Sequence, residues 1–185
     1  MSAEEVIKLQ QQVAAGSDQK ALERLYTFYY SRLYRFACAL VSQSEVAEEI
    51  VEDVFIRLWE NRSGVAEIRN LQVYLYVAIR NRALNYLDWK SRDLISYFET
   101  YPEDISMSVD TPERMLITKE MASQINKAVD ALPPKCKLVF KLVREEGLKY
   151  REAAEILNIS PRTVDTQMTI ALKKIACAIT LKTIA

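Results

Sequence analysis

Apolar residues return every three or four positions through most of the chain, the period of an α-helix with one buried face. Residues 19–41 carry Leu22, Leu25, Tyr29, Leu33, Phe36 and Leu40 at that spacing. The stretch from 44 to 60 carries Val46, Ile50, Val51, Val54, Phe55, Leu58 and Trp59, with Glu45, Glu48, Glu49, Glu52 and Asp53 on its other face. A third helix from 71 places Leu71, Tyr74, Leu75, Ala78 and Ile79 on one side, and a short one covers Ala3 to Ala15. The breaks between them have turn chemistry. "GSD" at 16–18 offers Ser17 or Asp18 as an N-cap, Ser44 is placed to cap the helix after it, and "NRSGVAEIRN" at 61–70 is a loop.

Residues 93–113 interrupt the periodicity. They hold Asp93, Glu99, Glu103, Asp104, Asp110 and Glu113, no Lys or Arg, two prolines and several hydroxyl residues. Such a composition is that of a linker. Helical spacing resumes from Arg114 through residue 132. Pro133 and Pro134 start another helix, which Gly147 ends. Two further helices follow, "KYREAAEIL" and the stretch from Pro161. With only 3 Gly and 5 Pro and no strand-like alternation, the expected fold is all-α. It consists of two small helical domains, 1–92 and 114–185, joined by a flexible acidic linker at 93–113.

"ILNISPRTVDT" at 156–166 has the parts of a helix-turn-helix. Ala153 and Ala154 allow two helices to approach, and Asn158 tolerates the left-handed conformation of a tight turn. Ile159 plugs the corner, Ser160 caps the next helix, and Pro161 fits its first position. In that helix Val164, Met168, Ala171, Leu172 and Ile175 form a buried face. Arg162, Thr163, Asp165, Thr166 and Thr169 point outward, where they can reach base edges or phosphates, with Lys173 and Lys174 further along. An ordinary helical hairpin has the same apolar spacing, so spacing alone leaves both readings open.

The overall charge argues against DNA binding, since 25 Lys and Arg balance 25 Asp and Glu. The balance conceals segregation. Residues 149–175 carry a net +2 and residues 69–92 a net +4, from Arg69, Arg80, Arg82, Lys90 and Arg92 against Asp88. The helix at 44–60 carries −5 and the linker −6. Each phosphate contact adds roughly 0.9 to the salt slope, so either basic segment alone binds weakly and needs a partner to hold it on DNA.

The chain has no histidine, which excludes His-based metal sites and Ser-His-Asp or Cys-His catalysis. Carboxylate pairs remain open as acid/base catalysts, but nothing Gly-rich is present to cradle a phosphate. The reading is therefore a non-enzyme without cofactor or metal. Cys38, Cys136 and Cys177 are odd in number and widely spaced, as in a reducing cytoplasm. No signal peptide or membrane-spanning run is visible.

Two stretches together resemble extracytoplasmic-function (ECF) sigma factors of bacterial RNA polymerase. "AEEIVEDVFIRLWENR" with "YLYVAIRNRALNYLDWKSR" is similar to sigma domain 2, and "ALPPKCKLVFKLVREEGLKYREAAEILNISPRTVDTQMTIALKKI" to sigma domain 4. The resemblance implies that domain 2 docks on the β′ clamp helices and captures the melted −10 element. It implies that domain 4 docks on the β flap and reads the −35 element. Glu49, Glu52 and Asp53 then fall in the clamp-docking helix, where a carboxylate-rich face suits a basic partner; on its own such a face is usually just solvated. Arg62, Asn70, Tyr74, Arg80, Asn81, Asn85, Lys90 and Arg92 fall in the −10 segment, with Asn81 lining a flipped-base pocket formed with the loop 61–70. Single-stranded DNA needs cations along its backbone and rings for stacking; Tyr74 and Tyr76 could equally be packing residues. Leu138, Val139, Leu142 and Val143 lie where relatives pack domain 4 and present it to the flap. The acidic linker would occupy the RNA path through the enzyme. An anti-sigma factor is the further partner implied. Without the resemblance, a stand-alone dimeric helix-turn-helix regulator and a helical interaction protein both remain open.

Overall fold

The computed structural model describes residues 1–90 and 125–183, and among them there are only helices and short connections. Arg92, the stretch 93–113 and the start of the helix expected from Arg114 lie outside the described residues. The chain divides into two compact units, one in Met1–Leu94 and one in Ile95–Ala185.

The first unit comprises α1 (Ala3–Gly16), α2 (Gln19–Val41), α3 (Ser44–Glu60), a 3-10 turn (Arg62–Glu67) and α4 (Leu71–Lys90). Ser2 and Glu5 form a reciprocal capping box at the start of α1. Ser17, left-handed at φ 48°, closes α1, and Asp18 Oδ1 accepts from the backbone N–H groups of Lys20 and Ala21 to open α2. The N-cap of α3 is Gln43 rather than Ser44, and it makes no side-chain cap bond. The left-handed turn at Ser42 has already reversed the chain by Gln43, so Ser44 is the first helical residue.

Leu25, Leu33, Val51, Leu58, Leu75, Tyr76 and Ile79 fill the core where α2, α3 and α4 meet. In α4 the sequence pattern is only partly followed. Leu71, Leu75 and Ile79 are buried, but Tyr74 is 42% exposed, Ala78 is half-buried, and Val73 and Tyr76 are buried instead. Because α4 packs on both α2 and α3, its buried arc is wide and centred on the Ile79–Ala83 side, which leaves Tyr74 opposite.

The second unit holds a helix at 125–130 (α5), α6 (Pro134–Phe140), α7 (Tyr150–Leu157) and α8 (Pro161–Thr183). Pro134 occupies the first turn of α6, as its missing N–H allows. The helix runs on through a π turn, Lys141–Glu145, with Glu146 N–H donating to the Lys141 carbonyl. Gly147 follows at φ 68°, and Leu148 N–H donates to the Leu142 carbonyl. Ala128, Val129, Leu132 and Cys136 pack against Ala171 and Ile175 of α8. Leu138, Val139 and Leu142 are core, and Val143 is half-buried.

Val164, Met168, Ala171 and Ile175 form the buried stripe of α8, but Leu172 is 42% exposed. It sits about 100° round the helix from Ala171, beyond the reach of the core, and next to the outward stripe.

Candidate nucleic-acid interface

The turn between α7 and α8 is built as its sequence requires. Asn158 is left-handed at φ 54°, ψ 47°, and its N–H reaches back to α7. Ser160 Oγ accepts from Thr163 N–H at 3.0 Å, so the cap and Pro161 fix the start of α8. Arg162, Asp165, Thr166, Thr169 and Lys173 are all exposed on one side of α8, opposite its buried stripe. Thr166 Oγ1 donates back to the Arg162 carbonyl, leaving its lone pairs outward. Thr163 differs from these: it is half-buried, with its hydroxyl 2.8 Å from Ser160 Oγ, and it serves the cap.

On α4 the exposed arc is narrow and regular. Tyr74, Asn81 and Asn85 are exposed at spacings of seven and four residues, which places them along one stripe. Arg80 donates to Asn81 Oδ1 from both Nε and Nη2, at 3.2 and 2.8 Å. That contact fixes the Asn81 amide with its N–H₂ turned away from the guanidinium. Lys90 ends α4.

The loop 61–70 is held at several points. Val65 is its buried anchor. Arg62 donates to Ser17 Oγ at 2.7 Å and to the Trp59 carbonyl, and lies over the Trp59 ring. The guanidinium is thus largely committed to holding the loop against the α1–α2 turn. Asn70 Oδ1 accepts from Val73 N–H at the entry to α4. Gln10 of α1 is 4% exposed and donates to the carbonyls of Val65 and Ile68, at 2.9 and 3.0 Å. Replacing it by an apolar residue takes this partner from the part-buried Ile68 carbonyl and leaves the buried Val65 carbonyl only its long bond from Ile68 N–H, a cost of about 1–3 kcal/mol. Sequence reasoning missed Gln10 because its partners lie 55 and 58 residues away. The one local signal is a polar residue between Leu9 and Val13 on the buried side of α1.

Glu49, Glu52 and Asp53 converge on one groove between α3 and α4, lined also by Val46, Ile50, Ile56, Arg82, Asn85 and Tyr86. Asp53 is ion-paired with Arg82 across the groove and lies 3.9 Å from Arg57 on its own helix. Ile56 stands 55% exposed beside these carboxylates. Its apolar side chain in an otherwise polar register is a signal in the sequence that lies outside the apolar stripe of the helix. On the other flank of α3, Tyr30 donates to Glu48 Oε1, stacks on Tyr34 and meets Tyr26 at a tilt. Burial, then the bond to Glu48, pushes the Tyr30 phenol up to about 12.

Residues 25–92 match the family model for sigma-70 region 2, and residues 122–175 match that for sigma-70 region 4. Together they span about two thirds of the chain, in family order. The chain belongs to the ECF sigma factors. It is similar to the ECF RNA polymerase sigma factor SigW of Bacillus subtilis, 26% identical over 165 residues that cover 85% of this chain and 87% of that protein. Another relative is the ECF RNA polymerase sigma-E factor of Haemophilus influenzae, 26% identical over 158 residues, 82% and 83% of the two chains. Among solved structures, the sigma factor RpoE of Bartonella quintana, crystallised with the anti-sigma factor NepR, superposes with a TM-score of 0.61. It is 18% identical, over 87% of this chain and 98% of that one. At that identity the likeness bears on the fold. As a sigma factor the protein directs RNA polymerase to promoters and initiates transcription there, without a catalytic site of its own. No helix among its described residues is long and apolar enough to cross a membrane.

Proposed function

We propose that the two faces of the first unit divide the work, with the α3–α4 groove binding core polymerase and the outer arc of α4 binding the melted −10 strand. The groove carries this reading. Glu49, Glu52 and Asp53 outnumber its one cation, Arg82, and Ile56 adds an exposed apolar contact. Carboxylates beside an apolar anchor suit a helix presenting arginines, such as the β′ clamp helices. On α4, Tyr74 offers a ring for stacking and Asn81 a fixed amide for a base edge, with Arg80, Lys90 and Arg92 assigned to the strand around them and Asn85 to it from the border that this arc shares with the groove. Arg62 supports the loop 61–70 more than it contacts DNA, and Asn70 borders that loop.

In the second unit α8 reads the −35 element, through Arg162, Asp165, Thr166, Thr169 and Lys173, while the domain docks on the β flap. The acidic stretch 93–113 links domains 1–92 and 114–185 in this scheme. An anti-sigma factor that covers the polymerase-binding faces is the natural inhibitor, by analogy with the RpoE–NepR pair, and the setting is cytoplasmic.

Run-off transcription with purified core polymerase tests the scheme. Wild-type protein is expected to give promoter-dependent transcripts. The double charge reversal Glu52→Lys with Asp53→Lys is expected to stay helical and to lose core binding. Core binding that survives the reversal overturns the assignment of the groove.

A further inference from the structure

We propose that Gln10 is a positioning residue for −10 base selectivity, acting through the loop 61–70; this rests on the assignment of that loop to the flipped-base pocket. Both N–H bonds of its amide are used, one on the Val65 carbonyl and one on the Ile68 carbonyl. The two carbonyls bracket the exposed turn residues Ala66 and Glu67, and the second precedes exposed Arg69 and Asn70.

Arg62 ties down the start of the loop and Asn70 its end, and the Gln10 bonds fall on the turn between them. The 3-10 turn has no side-chain cap at Asn61, and its closing bond, Ile68 N–H to the Val65 carbonyl, is long at 3.3 Å. Val65 pins the loop by its side chain, but an apolar anchor is non-directional and leaves the peptide planes free to rotate. The Gln10 bonds are directional, so they set how the peptides around the turn are oriented. Recognition of an extruded base depends on polar groups held to a fraction of an ångström, which makes that orientation part of the reading. The helix that supplies Gln10 lies before residue 25, where the match to region 2 begins. The N-terminal helix is thereby joined to the promoter-reading apparatus without touching DNA.

The test uses holoenzyme assembled from core polymerase and the full chain. Selection from a promoter library randomised across both elements defines the wild-type preferences, and fork-junction DNAs with single −10 changes then measure them. Gln10→Met is expected to reduce the preference for the best base at one or more −10 positions by about tenfold. Preferences at −35 and affinity for core should stay within about twofold. A purely structural role lowers total binding and leaves the preferences unchanged, and that result overturns the proposal.

Gln10→Glu keeps the test decisive if the methionine variant folds poorly. A carboxyl has at most one O–H to donate where the amide has two N–H groups, so this variant should also lose part of the −10 base preference. An unchanged preference in it counts against the proposal. Asn81→Ala separates the two levels of inference. If it alters −10 preference while both Gln10 variants do not, only the role of Gln10 falls. If none of the three alters it, the −10 reading falls and the proposal with it.

Discussion

Asp53 on α3 and Arg82 on α4 are ion-paired across the groove that also holds Glu49 and Glu52. Both side chains keep about a third of their surface in water, at 39% and 30% exposure, so the pair contributes only about 0.5–1 kcal/mol to folding. Asp53→Asn should therefore barely move the urea midpoint. The same substitution should weaken core binding by about tenfold, because a desolvated charge contact is lost in the complex. Equilibrium unfolding and fluorescence anisotropy with labelled core separate the two effects.

Asn158 holds a left-handed conformation that costs an ordinary side chain about 1–2 kcal/mol. Asn158→Ala should destabilise the second unit by about that amount, whereas Asn158→Gly should leave its stability unchanged or higher. Chemical shifts of α7 and α8 followed through urea titration report this unit alone.

Met168 is 1% exposed and Leu172 is 42% exposed on the same helix. Met168→Ala should cost about 2–5 kcal/mol through the cavity it leaves. Leu172→Ser should stay within about 0.5 kcal/mol. Equal costs for the two would contradict the burial pattern of α8.

Lys173 is exposed at the end of the reading face of α8. Lys173→Ala should weaken holoenzyme binding to every −35 sequence alike and reduce the salt slope by about 0.9. A change confined to particular sequences would make Lys173 a base reader instead.

Tyr30 is predicted to ionise late. Its phenol is raised from 10.0 to about 12 by burial and by donating to Glu48, so folding favours the protonated form. The resulting stability is fully present below pH 10 and is lost as pH rises toward 12. Ultraviolet titration should show one fewer late-ionising tyrosine in Tyr30→Phe, and Glu48→Gln should bring the Tyr30 transition to lower pH.

How far the sequence discloses the fold depends on how local each feature is. Asn158, Ser160 and Pro161 act within one turn, and each does in the structure what its chemistry requires. Helix lengths follow from periodicity, and α2 runs from Gln19 to Val41 as expected. Ser44 fails as a cap because the left-handed residue is Ser42, which makes Gln43 the residue that precedes the helix. Tyr74 and Leu172 lie at the edges of their apolar arcs, where the width of the neighbouring surface decides burial. The π turn at Lys141–Glu145 likewise has no signature in the apolar spacing. Among the candidate site residues, Arg162, Asp165, Thr166, Thr169, Tyr74 and Asn81 are exposed, whereas Arg62 ties the loop 61–70 to the α1–α2 turn and Thr163 serves the cap of α8. Gln10 and Arg82 owe their importance to partners far away in the chain, on the loop 61–70 and on α3, which no single segment of sequence displays.

The three cysteines differ in accessibility. Cys38 and Cys136 are buried and burial raises their thiols, whereas Cys177 is exposed near the end of α8. A maleimide dye should therefore label the natural sequence at one position, eleven residues beyond Thr166 on the same rigid helix. Energy transfer from that dye to a labelled promoter would time the arrival of the recognition helix at DNA, without any engineered cysteine.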